Sequence, residues 1–287
     1  MITFDDFSFT YPTQAEPTLI DISLEIKKGE FLLITGHSGA GKTTLCRAMF
    51  GALHHDIGGD FKGSLTLRDK NVTELSIGEI GSFMGVVFDD PDSQLFMPQV
   101  EDEIKFGLQA RNMPSGRGDI EKALARVGIA HLMKRATHEL SGGEKQKLAI
   151  AAALAVDPEI FLFDEPTSQL DPQSTLEIYA ILEGLKAEGK TVILVEQKVE
   201  DIIDKVDRIA VIDHGRLIAC GAPRETLKSP ALYEVMPYPC VSRLAVELKA
   251  GDMLLNLEEG RRFLKDRDIR LTPAPDNERS SFDGSPL

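Results

Sequence analysis

Apolar positions recur along the chain in two rhythms. Short runs rich in β-branched and aromatic residues come first: ITFDDFSFTY at 2–11, TLIDISLEI at 18–26, FLLITG at 31–36, GSLTLRD at 63–69 and MGVVFDD at 84–90. Each has the length and composition of a strand. From about 99 to 134 the rhythm becomes helical. Ile120, Ala123, Leu124 and Val127 lie at i, i+3, i+4 and i+7, with Asp119 placed to cap the start and Gly128 the end. From 140 onward the two rhythms alternate. A helix to 156 precedes the strand EIFLF at 159–163, and a helix with Ile178, Ile181, Leu182 and Leu185 on one face precedes TVILV at 191–195. A further helix, VEDIIDKV at 199–206, leads into RIAVID at 208–213, and DHG at 213–215 reads as a hairpin turn.

Such alternation predicts an α/β fold with a mainly parallel sheet covered by helices. An antiparallel N-terminal β subdomain precedes it, a helical subdomain is inserted at about 97–142, and the first unit closes near residue 222. Residues 223–270 read as a C-terminal extension of short helices, punctuated by MPYPC at 236–240. The stretch 271–287 has no periodicity and is expected to be disordered.

Composition narrows the function classes. The chain has 287 residues, 42% hydrophobic and 27% charged, as expected of a globular protein. Its net charge of −14 repels phosphate backbones, which argues against a nucleic-acid partner. Cys46, Cys220 and Cys240 are far apart in sequence, so neither a disulfide framework nor a zinc site is suggested, and a reducing, cytoplasmic compartment fits. The longest uninterrupted apolar run, LAIAAALAV at 148–156, is too short to span a bilayer.

Three motifs carry chemistry. GHSGAGKT at 36–43 follows a predicted strand and opens a predicted helix, as a phosphate-binding loop does. Gly36, Gly39 and Gly41 let successive N–H groups curl around an anion at the positive end of the helix. Lys42 would reach the β- and γ-phosphates, and the Thr43 hydroxyl would ligate Mg²⁺. IFLFDEP at 160–166 places two carboxylates directly after an apolar strand: Asp164 for the Mg²⁺ shell, Glu165 to orient and deprotonate an attacking water. Alone, the pair also reads as two solvated acids at a strand end. In LSGGEKQ at 140–146, Ser141 and Glu144 form a capping box before an apolar helix. Capping does not explain Gly142 and Gly143, because two glycines in a first helical turn cost roughly 1 kcal/mol each against Ala.

In this order and spacing, the phosphate loop, LSGGE, FLFDEPTSQLD and TVILVEQ resemble the ATP-binding subunit of an ATP-binding cassette (ABC) transporter. The resemblance covers roughly residues 1–220. It implies ATP and Mg²⁺ as cofactors, with Tyr11 stacking on adenine unless it is only a strand-edge aromatic. Gly36, His37, Ser38, Gly39, Ala40, Gly41, Lys42, Thr43 and Thr44 would bind phosphates and Mg²⁺. Ser141, Gly142 and Gly143 would contact the γ-phosphate bound by an opposite subunit, and Asp171 in SQLD would link the two sites. Two subunits would sandwich two ATP molecules and move membrane partners. VVFDDPDSQLF at 86–96, FGALHHDIGGDFKGSLTL at 50–67 and YPCVSRLAVEL at 238–248 further resemble ATPases of energy-coupling factor importers of vitamins and transition-metal ions. That implies a dimerising C-terminal extension, a second ATPase subunit, an integral membrane scaffold and a substrate-capturing protein. The cassette would then sit as a peripheral protein on the cytoplasmic face of the cell membrane. A non-transport ATPase of the same superfamily is the competing class, against which stand the acidic charge and the absence of a long coiled-coil insertion.

Two positions depart from the family pattern. Asp89 stands where a Gln normally touches Mg²⁺ and the attacking water, and Gln197 stands where a His normally binds the γ-phosphate and holds the catalytic Glu. Gln94 occupies a different place in the same loop as Asp89 and is not its displaced counterpart. An amide donates hydrogen bonds but, unlike imidazole, carries no positive charge and relays no proton. Asp89, acceptor-only, could still ligate Mg²⁺. With Glu165, Gln197 and Asp89 as the catalytic set, the expectation is an asymmetric pair in which this chain's own site binds ATP and hydrolyses it slowly. The alternatives are that both residues are working substitutes in a fully active site, or that the subunit is largely structural.

Overall fold

A computed structural model describes residues 1–269; the segment 271–287, expected to be disordered, lies outside the described residues. The first strands, β1 (Ile2–Thr10) and β2 (Leu19–Ile26), pair antiparallel. After β3 (Phe31–Thr35) and helix α1 (Lys42–Met49), β4 (Asp60–Leu67) and β5 (Lys70–Asn71) join them in an antiparallel sheet of order β2-β1-β4-β5. Helix α2 (Ile77–Phe83) leads into β6 (Met84–Val87), after which α3 (Val100–Ala110) and α4 (Arg117–Arg126) form the helical insertion. Helix α5 (Gly142–Ala155), β7 (Ile160–Asp164), α6 (Pro172–Ala187), β8 (Thr191–Val195), β9 (Arg208–Asp213) and β10 (Arg216–Gly221) then alternate.

The second sheet has the order β10-β9-β3-β8-β7-β6, parallel except for the hairpin strand β10. Its central strands have both faces covered. Leu162, Ile193 and Ile34 pack toward the antiparallel sheet, whereas Phe161, Phe163, Val192 and Leu194 pack toward α3–α6. This two-sided burial explains why β7 and β8 read as continuous apolar runs with no polar alternation. β3, β8 and β7 are adjacent and parallel, so the segments leaving their C-terminal ends converge at one edge. The phosphate loop, Glu165 and Gln197 all leave from that edge.

Beyond β10, short helices α7 (Pro223–Thr226), α8 (Cys240–Glu247) and α9 (Leu257–Asp266) follow. Leu227, Leu232, Met236, Ala245, Met253 and Leu255 from this stretch are buried in the same cluster as the helical face of the parallel sheet.

Two local expectations are corrected. VEDIIDKV at 199–206 forms a series of turns and no helix, although Val199, Ile202, Ile203 and Val206 are all buried at the expected spacing. The next residue, Asp207, is pinned to β3: its N–H donates to the Phe31 carbonyl and its carboxylate accepts the Phe31 N–H. Tertiary anchoring thus overrides a weak helical preference. Asp119 is not the cap residue of α4. The helix begins earlier, with Gly116 at the cap, and the Asp119 carboxylate accepts the Gly116 N–H at 3.0 Å.

Candidate active site

β3 ends at Thr35, and residues 36–41 form the turn that delivers Lys42 to the start of α1. Gly36 has φ +147, and a Cβ there would stand 2.0 Å from the Ile212 carbonyl oxygen, so no larger residue fits beneath β9. Lys42 is buried at 4% exposure. Its Nζ donates to the Gly36 and His37 carbonyls, each at 3.1 Å, and lies 3.4 Å from Glu165 Oε1. The Tyr11 hydroxyl lies 3.1 Å from Thr44 Oγ1 and accepts from Arg47, and the Phe9 ring meets the Tyr11 ring edge-on.

A cleft of about 300 Å³ is lined by Tyr11, Gln14, Thr18, Ser38, Gly39, Gly41, Lys42, Thr43, Thr44 and Glu165. Gln197 reaches the same Glu165, its Nε2 donating to Oε1 at 3.0 Å. The Glu165 backbone is left-handed, φ +48, a conformation seldom taken by L-residues and held here by a bond from its N–H to the Val195 carbonyl.

Other expected residues lie apart from the cleft lining. Ala40 is buried in the core, and the His37 ring turns outward, its Nε2 lying 3.1 Å from the Glu234 carbonyl of the C-terminal extension. Asp89 is exposed. Gln94 folds back on the end of β6, accepting the Phe88 N–H and donating to the Val86 carbonyl, so it props the loop that carries Asp89. Ser141, Gly142 and Gly143 do not line the cleft; they open α5, where Ser141 and Glu144 form the expected capping box. A Cβ on Gly142 would meet nothing within 4 Å, and one on Gly143 would make only ordinary contacts, so this chain's own packing does not require either glycine.

The family model described as "ABC transporter" matches residues 19–168, more than half of the chain. The chain belongs to the ABC transporter ATP-binding family. Its relatives include a protein of Methanosarcina acetivorans, provisionally named an ABC transporter ATP-binding protein, that is 45% identical over 236 residues, 81% of this chain and 45% of that one. The cassette spans about half the length of the curated relatives it matches. Among solved structures, CbiO1 of Clostridium perfringens, part of the ABC transporter complex CbiONQ, superposes with a TM-score of 0.69 at 32% identity, over 81% of this chain and 92% of that one. The ATP-binding cassette MJ0796, solved as a dimer in a post-hydrolysis state with ADP and Pi, gives 0.68 at 26% identity, over 78% and 99%.

ABC ATP-binding domains bind ATP, normally with Mg²⁺, and this cassette has a place that fits the ion. Asp164 is 3% exposed, its Oδ1 is buried with no hydrogen-bond partner, and the Thr43 hydroxyl is close enough to its carboxyl to favour the charged form. A buried, unpartnered carboxylate oxygen beside a hydroxyl is a donor set suited to a hard cation. Among the described residues no group of three or more His, Cys, Asp or Glu forms a self-sufficient metal cage, so phosphate oxygens would have to supply further ligands. Burial is the main cause that raises the Asp164 carboxyl to about 6; Thr43 opposes it, Asp89 and Glu165 add to it, and Lys42 opposes it.

The motif reading missed Glu196. It is 3% exposed, and its Oε1 accepts both the Thr167 N–H at 3.2 Å and the Thr167 hydroxyl at 2.6 Å. Burial raises its carboxyl to about 7, against the pull of Thr167 and with a push from Glu165. The folded cassette therefore keeps a proton that an unfolded chain releases near pH 4.5. The stability this proton contributes is full below that pH and lost as pH rises through about 7, by up to about 3 kcal/mol. The melting temperature of the nucleotide-free protein should fall from pH 5 to pH 8, and Glu196→Gln should flatten that fall. Parallel melting curves across this range check it; identical slopes would remove Glu196 as the cause.

Proposed function

We propose that this cassette is the ATP-binding and hydrolysing subunit of an energy-coupling factor type importer of a vitamin or transition-metal ion. It works in an asymmetric pair with a second ATPase, on the cytoplasmic face of the cell membrane, with an integral membrane scaffold and a substrate-capturing protein. Tyr11 would stack on adenine, the loop 36–44 would bind the phosphates, and Thr43, Asp164 and Asp89 would hold Mg²⁺, which when bound would neutralise charge on the β- and γ-phosphates. On nucleotide binding Lys42 exchanges the Gly36 and His37 carbonyls for phosphate oxygens. Glu165 accepts the proton of the attacking water.

The observation that carries the slow-site reading is the hydrogen bond from Gln197 to Glu165, a residue that lines the phosphate-loop cleft. One amide hydrogen of Gln197 orients Glu165 and the other is free for the γ-phosphate, but the group adds no positive charge. The own site is therefore the slower of the pair. Ser141, Gly142 and Gly143, placed away from this cleft and with space above Gly142, complete the site of the partner ATPase. The importer class is supported by the likeness to CbiO1 of the CbiONQ complex and by a helical C-terminal extension. Among the described residues no helix is long and apolar enough to cross a membrane.

The test is affinity purification of the tagged chain from detergent-solubilised membranes of its host. A second ATPase and an integral membrane scaffold should co-purify in constant ratio. Recovery with ribosomes or DNA-repair proteins and no membrane protein would overturn the transport reading.

A further inference from the structure

Glu196 and Gln197 leave the end of β8 in succession, and their side chains reach different partners. Gln197 donates to Glu165, while Glu196 accepts two bonds from Thr167, two residues further along the same turn. Between them they grip the turn after β7 at two points. Within the turn, the Ser168 N–H donates to the Glu165 carbonyl and the Leu170 N–H to the Thr167 carbonyl. These bonds shape the turn without fixing it to β8. Apart from Gln197, the recorded ties from the turn to the β8 end are the Glu165 N–H to the Val195 carbonyl and the two Thr167 bonds to Glu196.

The conformation at stake is an unusual one. Glu165 sits at φ +48 on a non-glycine residue, which persists only where its surroundings over-determine it. A buried carboxyl group, charged or not, is a costly way to make a merely structural contact, and here the Tyr179 hydroxyl, 3.4 Å from Thr167 Oγ1, adds only a weak further contact to the same network.

We propose that Glu196 is a positioning residue for ATP hydrolysis, which through Thr167 holds the turn that presents Glu165 to Gln197 and to the attacking water. This rests on the reading of Glu165 as the group that accepts the water's proton. Glu196 touches no phosphate and acts only on where Glu165 stands. It therefore affects the chemical step and leaves ATP binding intact, since the phosphate loop and Tyr11 are anchored on other strands.

The experiment is single-turnover hydrolysis of radiolabelled ATP by the full chain, with ATP affinity and melting temperature measured on the same samples. Glu196→Ala should lower the hydrolysis rate by about tenfold or more while ATP affinity changes by less than about threefold, because misplacing a reacting group costs rate before binding. Glu196→Gln should restore the rate to within about threefold of the parent, since an amide oxygen accepts the same two bonds from Thr167. Equal losses in the Ala and Gln variants would overturn the proposal, because the charge and not the grip on Thr167 would then matter. If the alanine variant does not fold, Thr167→Val, which deletes the hydroxyl and keeps the N–H, takes its place, and an unchanged rate overturns the proposal. Glu165→Gln is run alongside. A full rate in Glu196→Ala with a lost rate in Glu165→Gln refutes the positioning role alone, whereas no loss in Glu165→Gln refutes the underlying reading of the site.

Discussion

Replacing Gln197 by His raises the steady-state ATP turnover of the purified cassette by on the order of 10²-fold, the scale on which one preorganised transition-state donor acts. Gln197 already holds Glu165 at 3.0 Å, so orientation is not what the amide lacks. It lacks charge. An imidazole beside the Glu165 carboxylate and a γ-phosphate is favoured as imidazolium, which places a positive charge where negative charge develops and which can pass on a proton. Phosphate release at saturating Mg²⁺ and ATP compares the parent with the variant. Equal rates would make Gln197 a full substitute for His and remove the case for an asymmetric pair.

Gly36→Ala and Gly142→Ala should behave as opposites. At Gly36 the new methyl would stand 2.0 Å from the Ile212 carbonyl oxygen, at φ +147. The phosphate loop and β9 cannot both keep their places, and a backbone clash combined with backbone strain costs more than about 4 kcal/mol. Chemical denaturation should show that loss, with ATP binding lost as well. At Gly142 the methyl meets nothing within 4 Å, in the first turn of α5. Alanine there removes a helix penalty of about 1 kcal/mol, so the isolated chain should become slightly more stable and keep its own ATP affinity. Turnover of the assembled pair should nevertheless collapse if, as proposed, the missing side chain leaves room for a nucleotide on the partner. A Gly142→Ala pair with full turnover would show that α5 does not close over that nucleotide.

The parts of the site legible in the sequence are those whose cause is local. Ser141 and Glu144 are three residues apart and bond each other's backbone, so the capping box of α5 can be read directly from Ser-x-x-Glu. The strand–glycine turn–helix order of the phosphate loop is likewise contiguous. The unbroken apolar runs at 160–163 and 192–195 announce strands covered on both faces. Where a local rule met a distant anchor, the anchor prevailed: 199–206 has helical spacing and buries its apolar residues, yet Asp207 is tied to Phe31 and the segment winds as turns.

The chain's own order of residues therefore determined the strands, the phosphate loop, the capped helix at 142–155 and the list of groups able to do phosphoryl chemistry. Only the tertiary structure decided how those groups meet. Lys42 and Glu165 come within 3.4 Å, and Glu196 and Thr167 are joined across 29 positions, because β3, β8 and β7 stand side by side. That burial also raises the Asp164 and Glu196 carboxyls. The polar pair Glu196-Gln197 past the end of β8 was visible in the letters, and successive residues of an extended chain point to opposite sides. What each would touch was not visible, because side-chain partners beyond a strand end are set by neighbouring strands and not by neighbours in sequence.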